Sequence, residues 1–327
     1  MITSQDFASL TEELQSIFNQ EAKQKISAMK GRDIFQVEDT SILNHLHQVI
    51  HGLGHPERLG QGQNIPVQNG DEGDSITYTQ KWYGSGFAVT KTMRKFDMTS
   101  TIKAMPKSLA TGAFDAVDQS MADVLLNGWS TSYTDVYNDS VSAVGPDGLA
   151  LFNANHTYGD TQASGVYSNL LVDSDGNTDP VLSRDAIVAS RTAGRKYTDG
   201  RSLNRGIDLD TLVVAPDNED LAERILYSTQ ISGSANNDMN ALKGKVKNLI
   251  VWDRLSENSA GTDTGAYWFM LNSAMAGETL KALFAERPTL DAPHDVYENK
   301  NWEYTVDFYY VLGLGFQPYV RGSKGTT

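Results

Sequence analysis

Four histidines crowd into one short stretch, "HLHQVIHGLGH", as His45, His47, His51 and His55. If the stretch is helical, His47 and His51 stand one turn apart on one face, the separation two imidazoles use to hold a divalent metal. The chemistry would then be metal-dependent hydrolysis. That pattern also wants a glutamate between the histidines and a further ligand, and this stretch has neither, while Gly52 and Gly54 end the helix before His55. The competing reading is histidines on a polar flank, free to sense pH. No metal and no cofactor is expected.

A second stretch, "DGLALFNANH" from Asp147 to His156, sets a histidine beside two asparagines after a short apolar run. It is either a piece of an active site or a hydrogen-bonded marker of the fold. Nothing nearby completes a catalytic set. The chain has no GxSxG elbow, and its glycine-rich candidates, "GLGHPERLG" and "GSGF", lack the lysine and the following helix of a phosphate-cradling loop. With no cysteine there is no disulfide, thiolate nucleophile or zinc–thiolate site, which fits a reducing compartment.

Charge narrows the partners. The net charge is −14, so a surface that grips a phosphate backbone along its length is not expected, and an acidic wall suits a container of nucleic acid better than a reader of it. One segment is basic: Arg184, Arg191, Arg195, Lys196, Arg201 and Arg205. It reads as a DNA-facing patch, as a solvated helix face, or as the complement of acids such as Asp217 to Asp220 on another subunit. No run of about 18 apolar residues occurs and the N-terminus has no apolar signal core, so neither export nor a membrane span is expected. The aromatic content, 14 Tyr, 11 Phe and 5 Trp, is ample for a packed core.

The elements that position these residues follow from periodicity. Apolar residues recur at helical spacing from Ser4 to Met29, and a second, shorter helix is predicted from Asp39 to Ser41 onward, with Ile42, Leu43, Leu46, Val49 and Ile50 on its face. Between Gly60 and Lys95 short β-prone runs and a tip-like "NGDEGD" predict an extended β-hairpin with too few apolar residues for a core of its own. Its acids Asp71, Glu72 and Asp74, and the bases Lys81, Lys91, Arg94 and Lys95 on the returning strand, are candidates for intersubunit charge pairs. Pro106 is predicted to open the longest helix, about 35 Å of it at 1.5 Å per residue. Residues 131–180 read as loop-rich. Beyond Pro180 helix, strand, helix and strand alternate as a small α/β layer, and "AYWFML", "ETLKALFAE" and "EYTVDFYYVLGLGFQPYV" close the chain as strands.

Three stretches together resemble the tailed-phage major capsid protein family, the Mu-type head subunits in particular. They are "DGLALFNANH" after the long helix, "RKYTDGRSLNRGIDLDTLVVAPDNEDLAERIL", and "NALKGKVKNLIVWDRL". The order and spacing of elements agree from about Gly60 to Gly322. The resemblance implies an α+β capsid fold of the Hong Kong 97 type: an N-terminal arm (1–59), an extended loop (60–100), a peripheral domain with a spine helix (101–150 and 281–327) and an axial domain (151–280). It implies a non-enzymatic head protein that assembles as pentamers and hexamers into an icosahedral shell around phage DNA, with scaffolding, portal and decoration proteins as partners and the host cytoplasm as the place of assembly. An encapsulin-like compartment is the structural alternative. With Met1 present and no scaffolding segment before the arm, no N-terminal maturation cleavage is expected. Some relatives form Lys–Asn isopeptide bonds, and Lys81 and Lys91 lie on the extended loop, but no partner asparagine or activating acid is identifiable and that chemistry is not carried over. On this reading His156 is a fold marker.

Overall fold

A computed structural model describes residues 4–50, 55–56, 58–67, 72–96, 99–158, 165–201, 203–231, 238–296 and 300–326. Helix α1 spans Ser4–Ala28, as its spacing predicts. Strand β1 (Gln36–Asp39) follows. Strand β2 (Asn44–Ile50) then stands where a second helix is predicted, because it finds a ladder partner in β3 (Glu72–Thr79), with His45 opposite Tyr78 and His47 opposite Ile76. Periodicity over so few residues does not separate strand from helix, and a distant partner decides it.

The hairpin therefore differs from the predicted one. Its arms are β2 and β3, and it starts well before Gly60. Strand β4 (Lys81–Val89) does not return beside β3; it pairs antiparallel with β14 (Asn301–Leu314) in the larger sheet. Lys91, Arg94 and Lys95 lie on a short helix, α2 (Lys91–Lys95), whose first turn is capped by the Thr90 hydroxyl accepting from the Met93 amide.

Helix α3 spans Thr99–Leu126, and Pro106 lies inside it. Its 28 residues make a rod of about 42 Å. An interior proline costs a helix hydrogen bond and a steric clash. Here the turns before it are held by tertiary contacts, with Ile102 buried in the core and Lys103 Nζ 2.5 Å from Glu13 Oε1 on α1. The pairs Glu13–Lys103, Glu21–Lys107 and Lys25–Asp115 step along both helices in the same direction, so α1 and α3 run parallel. Leu14, Phe18 and Ala22 of α1 enter the same core as Phe114, Val117 and Met121 of α3. The apolar stripe of α1 is thus covered within its own chain.

Residues 131–180 are loop-rich, with short strands β5 (Ser132–Thr134), β6 (Ser140–Ser142), β7 (His156–Thr157) and β8 (Val166–Tyr167). Next come α4 (Arg184–Arg195), capped by Ser183, β9 (Thr211–Val214), α5 (Glu219–Tyr227), β10 (Asn248–Val251) and β11 (Trp268–Leu271). "ETLKALFAE" is strand only in part: a helical turn, α6 (Ala276–Thr279), precedes β12 (Leu280–Leu290). Strand β13 (His294–Val296) and β14 follow, and β15 (Val320–Ser323) ends the fold.

Two sheets organise these elements. In the larger, β14 runs between β12 and β4, with β1 outside β12 and β13 beside the start of β14. The smaller has the order β10-β9-β11-β15. The closing strand β15 therefore leaves the elements of the larger sheet and joins the α/β layer, pairing antiparallel with β11. One face of the small sheet, Val213, Phe269 and Leu271, belongs to the core around α3; the other, Leu212, Val214, Trp268 and Met270, packs against α4 and α5. Asp118 of α3 ties the parts together, accepting from the Gly31 amide and the Trp252 indole, both at 3.1 Å. Burial raises its pKa in spite of these bonds.

Candidate assembly interface

The histidine of the second stretch is fully enclosed. His156 Nδ1 lies 2.6 Å from Asp147 Oδ2 and Nε2 lies 3.2 Å from the Leu151 carbonyl. Asp147 also accepts from the Leu149 amide and from Gln317 Nε2, each at 3.1 Å. Burial pushes the Asp147 pKa up, but these hydrogen bonds outweigh it and hold the carboxyl below its ordinary value. Asn169 continues the net, accepting from the Asn153 amide and donating to the Leu151 carbonyl. Every polar atom is spent on shaping the turn that follows α3, and Tyr167 stacks on the imidazole at 5.3 Å. His156 is a structural knot.

The helix that the His47/His51 metal pair required does not form, because Asn44–Ile50 is a strand. His51 lies outside the described residues. His47 sits against the end of β14, where burial and then Lys281 lower its pKa. Among the described residues no cluster of His, Asp or Glu could hold a metal ion.

The predicted intersubunit charges are not brought together. Asp71 lies outside the described residues, as do the side chains of Glu72 and Arg94. Asp74 is on β3, half-buried, whereas Lys91 and Lys95 are exposed on α2. Lys81 lies 3.8 Å from Asp139 of its own chain. The basic segment is largely balanced internally: Arg191 and Arg195 share Asp208 at 2.7 and 3.2 Å, Arg205 meets Asp199 at 2.9 Å, and Arg201 is also engaged. Lys196, at the C-terminus of α4, is exposed.

What the hairpin and the segments flanking β2 present instead is apolar. Leu46 on β2 is 60% exposed, Ile42 and Leu43 just before it are 56 and 60% exposed, and Ile65 and Val67 beyond β2 are more open still. Ile42, Leu43 and Leu46 belong to the face that sequence periodicity assigns to a second helix, of which Val49 is buried. The hairpin is anchored at its base, where Tyr78 is buried against Gly313 and its hydroxyl donates to the Leu314 carbonyl. A two-stranded ribbon with an open apolar face is marginal in water unless another surface covers it.

A spine helix lies alongside a long-stranded sheet, with a separate small α/β layer and a two-stranded hairpin flanked by bare apolar residues. The sequence model of the phage capsid protein family matches residues 73–319. The chain belongs to the phage capsid protein family, and it is a major capsid protein of the virion shell. Among solved structures it is similar to the capsid of Ralstonia phage GP4 (TM-score 0.54, 12% identity, 89% of this chain and 87% of that one). It is similarly related to a Gordonia phage Cozz chain (0.54, 9%, 90% and 85%) and to the mature capsid of bacteriophage PhiM1 (0.53, 11%, 90% and 86%). A search of curated proteins finds no match. The family match favours the phage head over the encapsulin-like compartment and the hydrolase.

Proposed function

We propose that this chain is the repeating subunit of an icosahedral head of Mu-type affinity, closing as pentamers and hexamers in which the β2–β3 hairpin lies on a neighbouring copy. The observation that carries the reading is the hairpin with the residues that lead into it: Ile42, Leu43 and Leu46 are more than half exposed, while its base is fixed to β14 through Tyr78. An anchored element with an open apolar face is what a heterologous, ring-closing contact requires. The larger sheet with α3 serves as the peripheral domain and the α/β layer around β9, β10 and β11 as the axial one. The shell encloses DNA without reading its sequence, in keeping with a net charge of −14, and assembles in the host cytoplasm. Scaffolding and portal proteins act during that assembly, and decoration proteins bind the finished head.

The test is mass measurement and negative-stain microscopy of the expressed protein, alone and with its scaffold. Rings of five or six and closed shells are the expected outcome. Monomer alone under every condition overturns the proposal.

A further inference from the structure

Among the described residues, no carboxylate neutralises one charge in the second core. Arg321 stands on β15 opposite Met270, and directly opposed residues of an antiparallel pair leave the sheet on one face. Its side chain therefore enters the core shared by Tyr167, Tyr197 and Met270. The residue is 4% exposed. Among the described residues no carboxylate stands within ion-pair reach of it, and its Nε is sealed from solvent without a hydrogen-bond partner. The groups that bear on its charge are two phenols, Tyr197 and Tyr167. Burial pulls the guanidinium down to about 10.

A second donor beside it is also unspent. Tyr197 is buried and its hydroxyl makes no hydrogen bond, whereas Tyr167, packed edge-on to it at 5.5 Å, donates to Gln317 Oε1. The contrast with the other buried arginine is direct. Arg191 has Asp208 at 2.7 Å and the Lys245 carbonyl at 2.5 Å. Folds satisfy buried charges because an unpaired one is costly, and this fold has done so at one arginine and not at the other. Nε is the sealed nitrogen of Arg321, so its terminal nitrogens meet what little surface the residue keeps. A guanidinium offers planar paired donors that match two oxygens of a carboxylate or phosphate.

We propose that Arg321 and the Tyr197 hydroxyl form a receptor for a single oxyanion, a carboxylate or a phosphate, supplied from outside the chain. One source is an acidic side chain of a neighbouring copy, from a chain that carries 41 Asp and Glu against 27 Lys and Arg. The other is free phosphate. The phosphate arm stands without the shell reading, and only the neighbouring-copy arm rests on it.

The experiment compares the full-length wild type with Arg321→Met, which keeps the length and removes the charge, and Tyr197→Phe, which removes only the hydroxyl. Unassembled protein is melted in inorganic phosphate and in chloride at matched ionic strength, and the concentration needed for shell formation is measured in parallel. If free phosphate fills the receptor, phosphate raises the wild-type midpoint by several degrees, leaves Arg321→Met unmoved and acts more weakly on Tyr197→Phe. If a neighbour's carboxylate fills it, phosphate has no effect, Arg321→Met melts higher than wild type when unassembled, and yet it needs at least a tenfold greater concentration to form shells. Should Arg321→Met fail to fold, Tyr197→Phe decides by the same two readings. The proposal is overturned if phosphate leaves the wild type unmoved and the substitutions either change nothing or move melting and assembly in the same direction. A wild type that forms no shells counts against the proposed function, while the phosphate reading still tests the receptor.

Discussion

Replacing Ile42, Leu43 and Leu46 by serine separates folding from assembly. In the single chain these side chains are already 56, 60 and 60% exposed, so the exchange should move unfolding by no more than about 0.5 kcal/mol. Against a neighbouring copy the arithmetic differs. Full burial of a Leu or Ile side chain is worth about 1.5–3 kcal/mol, and slightly more than half of each remains to be covered, which makes about 2.5–5 kcal/mol for the three together. At 1.4 kcal/mol per factor of ten, that raises the concentration at which shells form by about two to four powers of ten. Circular dichroism and thermal melting read the fold, and light scattering with electron microscopy reads assembly over a dilution series. A variant that melts with the wild type and closes shells at the wild-type concentration refutes the reasoning. Excising the hairpin gives a coarser version. A Gly/Ser linker must then replace residues 41–80 and stop before Lys81, because β4 belongs to the larger sheet.

Asp147→Ala strips the buried imidazole of His156 of its carboxylate and leaves the Leu149 amide and Gln317 without their acceptor. Denaturant unfolding should show a loss of about 1–3 kcal/mol, the range for leaving buried hydrogen-bonding groups without a partner. Gly128→Ala places a methyl 2.5 Å from Phe152 Cδ2 at the junction of α3 with the small sheet, and a loss of about 1–3 kcal/mol is expected from such overpacking in the same assay. The carboxyls of Asp147, Asp199 and Asp210 are held below their ordinary values, because hydrogen bonds and, for Asp199 and Asp210, paired cations outweigh burial. A depressed folded-state pKa contributes stability above the unfolded value, about 3.9, that is lost as pH falls through the folded one. Asp118 and Asp123, raised by burial, act in the opposite sense. Melting against pH should therefore show Asp210→Asn losing less stability than the wild type as pH falls below about 4. An unchanged acid limb in that variant counts against the assignment.

Much of the architecture was legible because it is local. The spacing of Leu10, Leu14 and Phe18 makes α1 amphipathic, the segment after Pro180 reads as the helix that α4 is, and the run from Leu212 to Val214 is apolar on both sides because both faces of the small sheet are covered. The family resemblance rested on the same local order. What the sequence could not decide were properties that belong to pairs of distant segments. Asn44–Ile50 is strand because β3 pairs with it. Strand β4 leaves β3 because β14 offers a longer ladder. Helix α3 runs through Pro106 because Ile102 and Lys103 are held by the core and by α1. The exposure of Ile42, Leu43 and Leu46, and the isolation of Arg321, follow from the same cause. Composition and spacing say that a side chain is apolar or charged, but what covers it or neutralises it depends on which distant segments fold against it, and only the tertiary structure decides that.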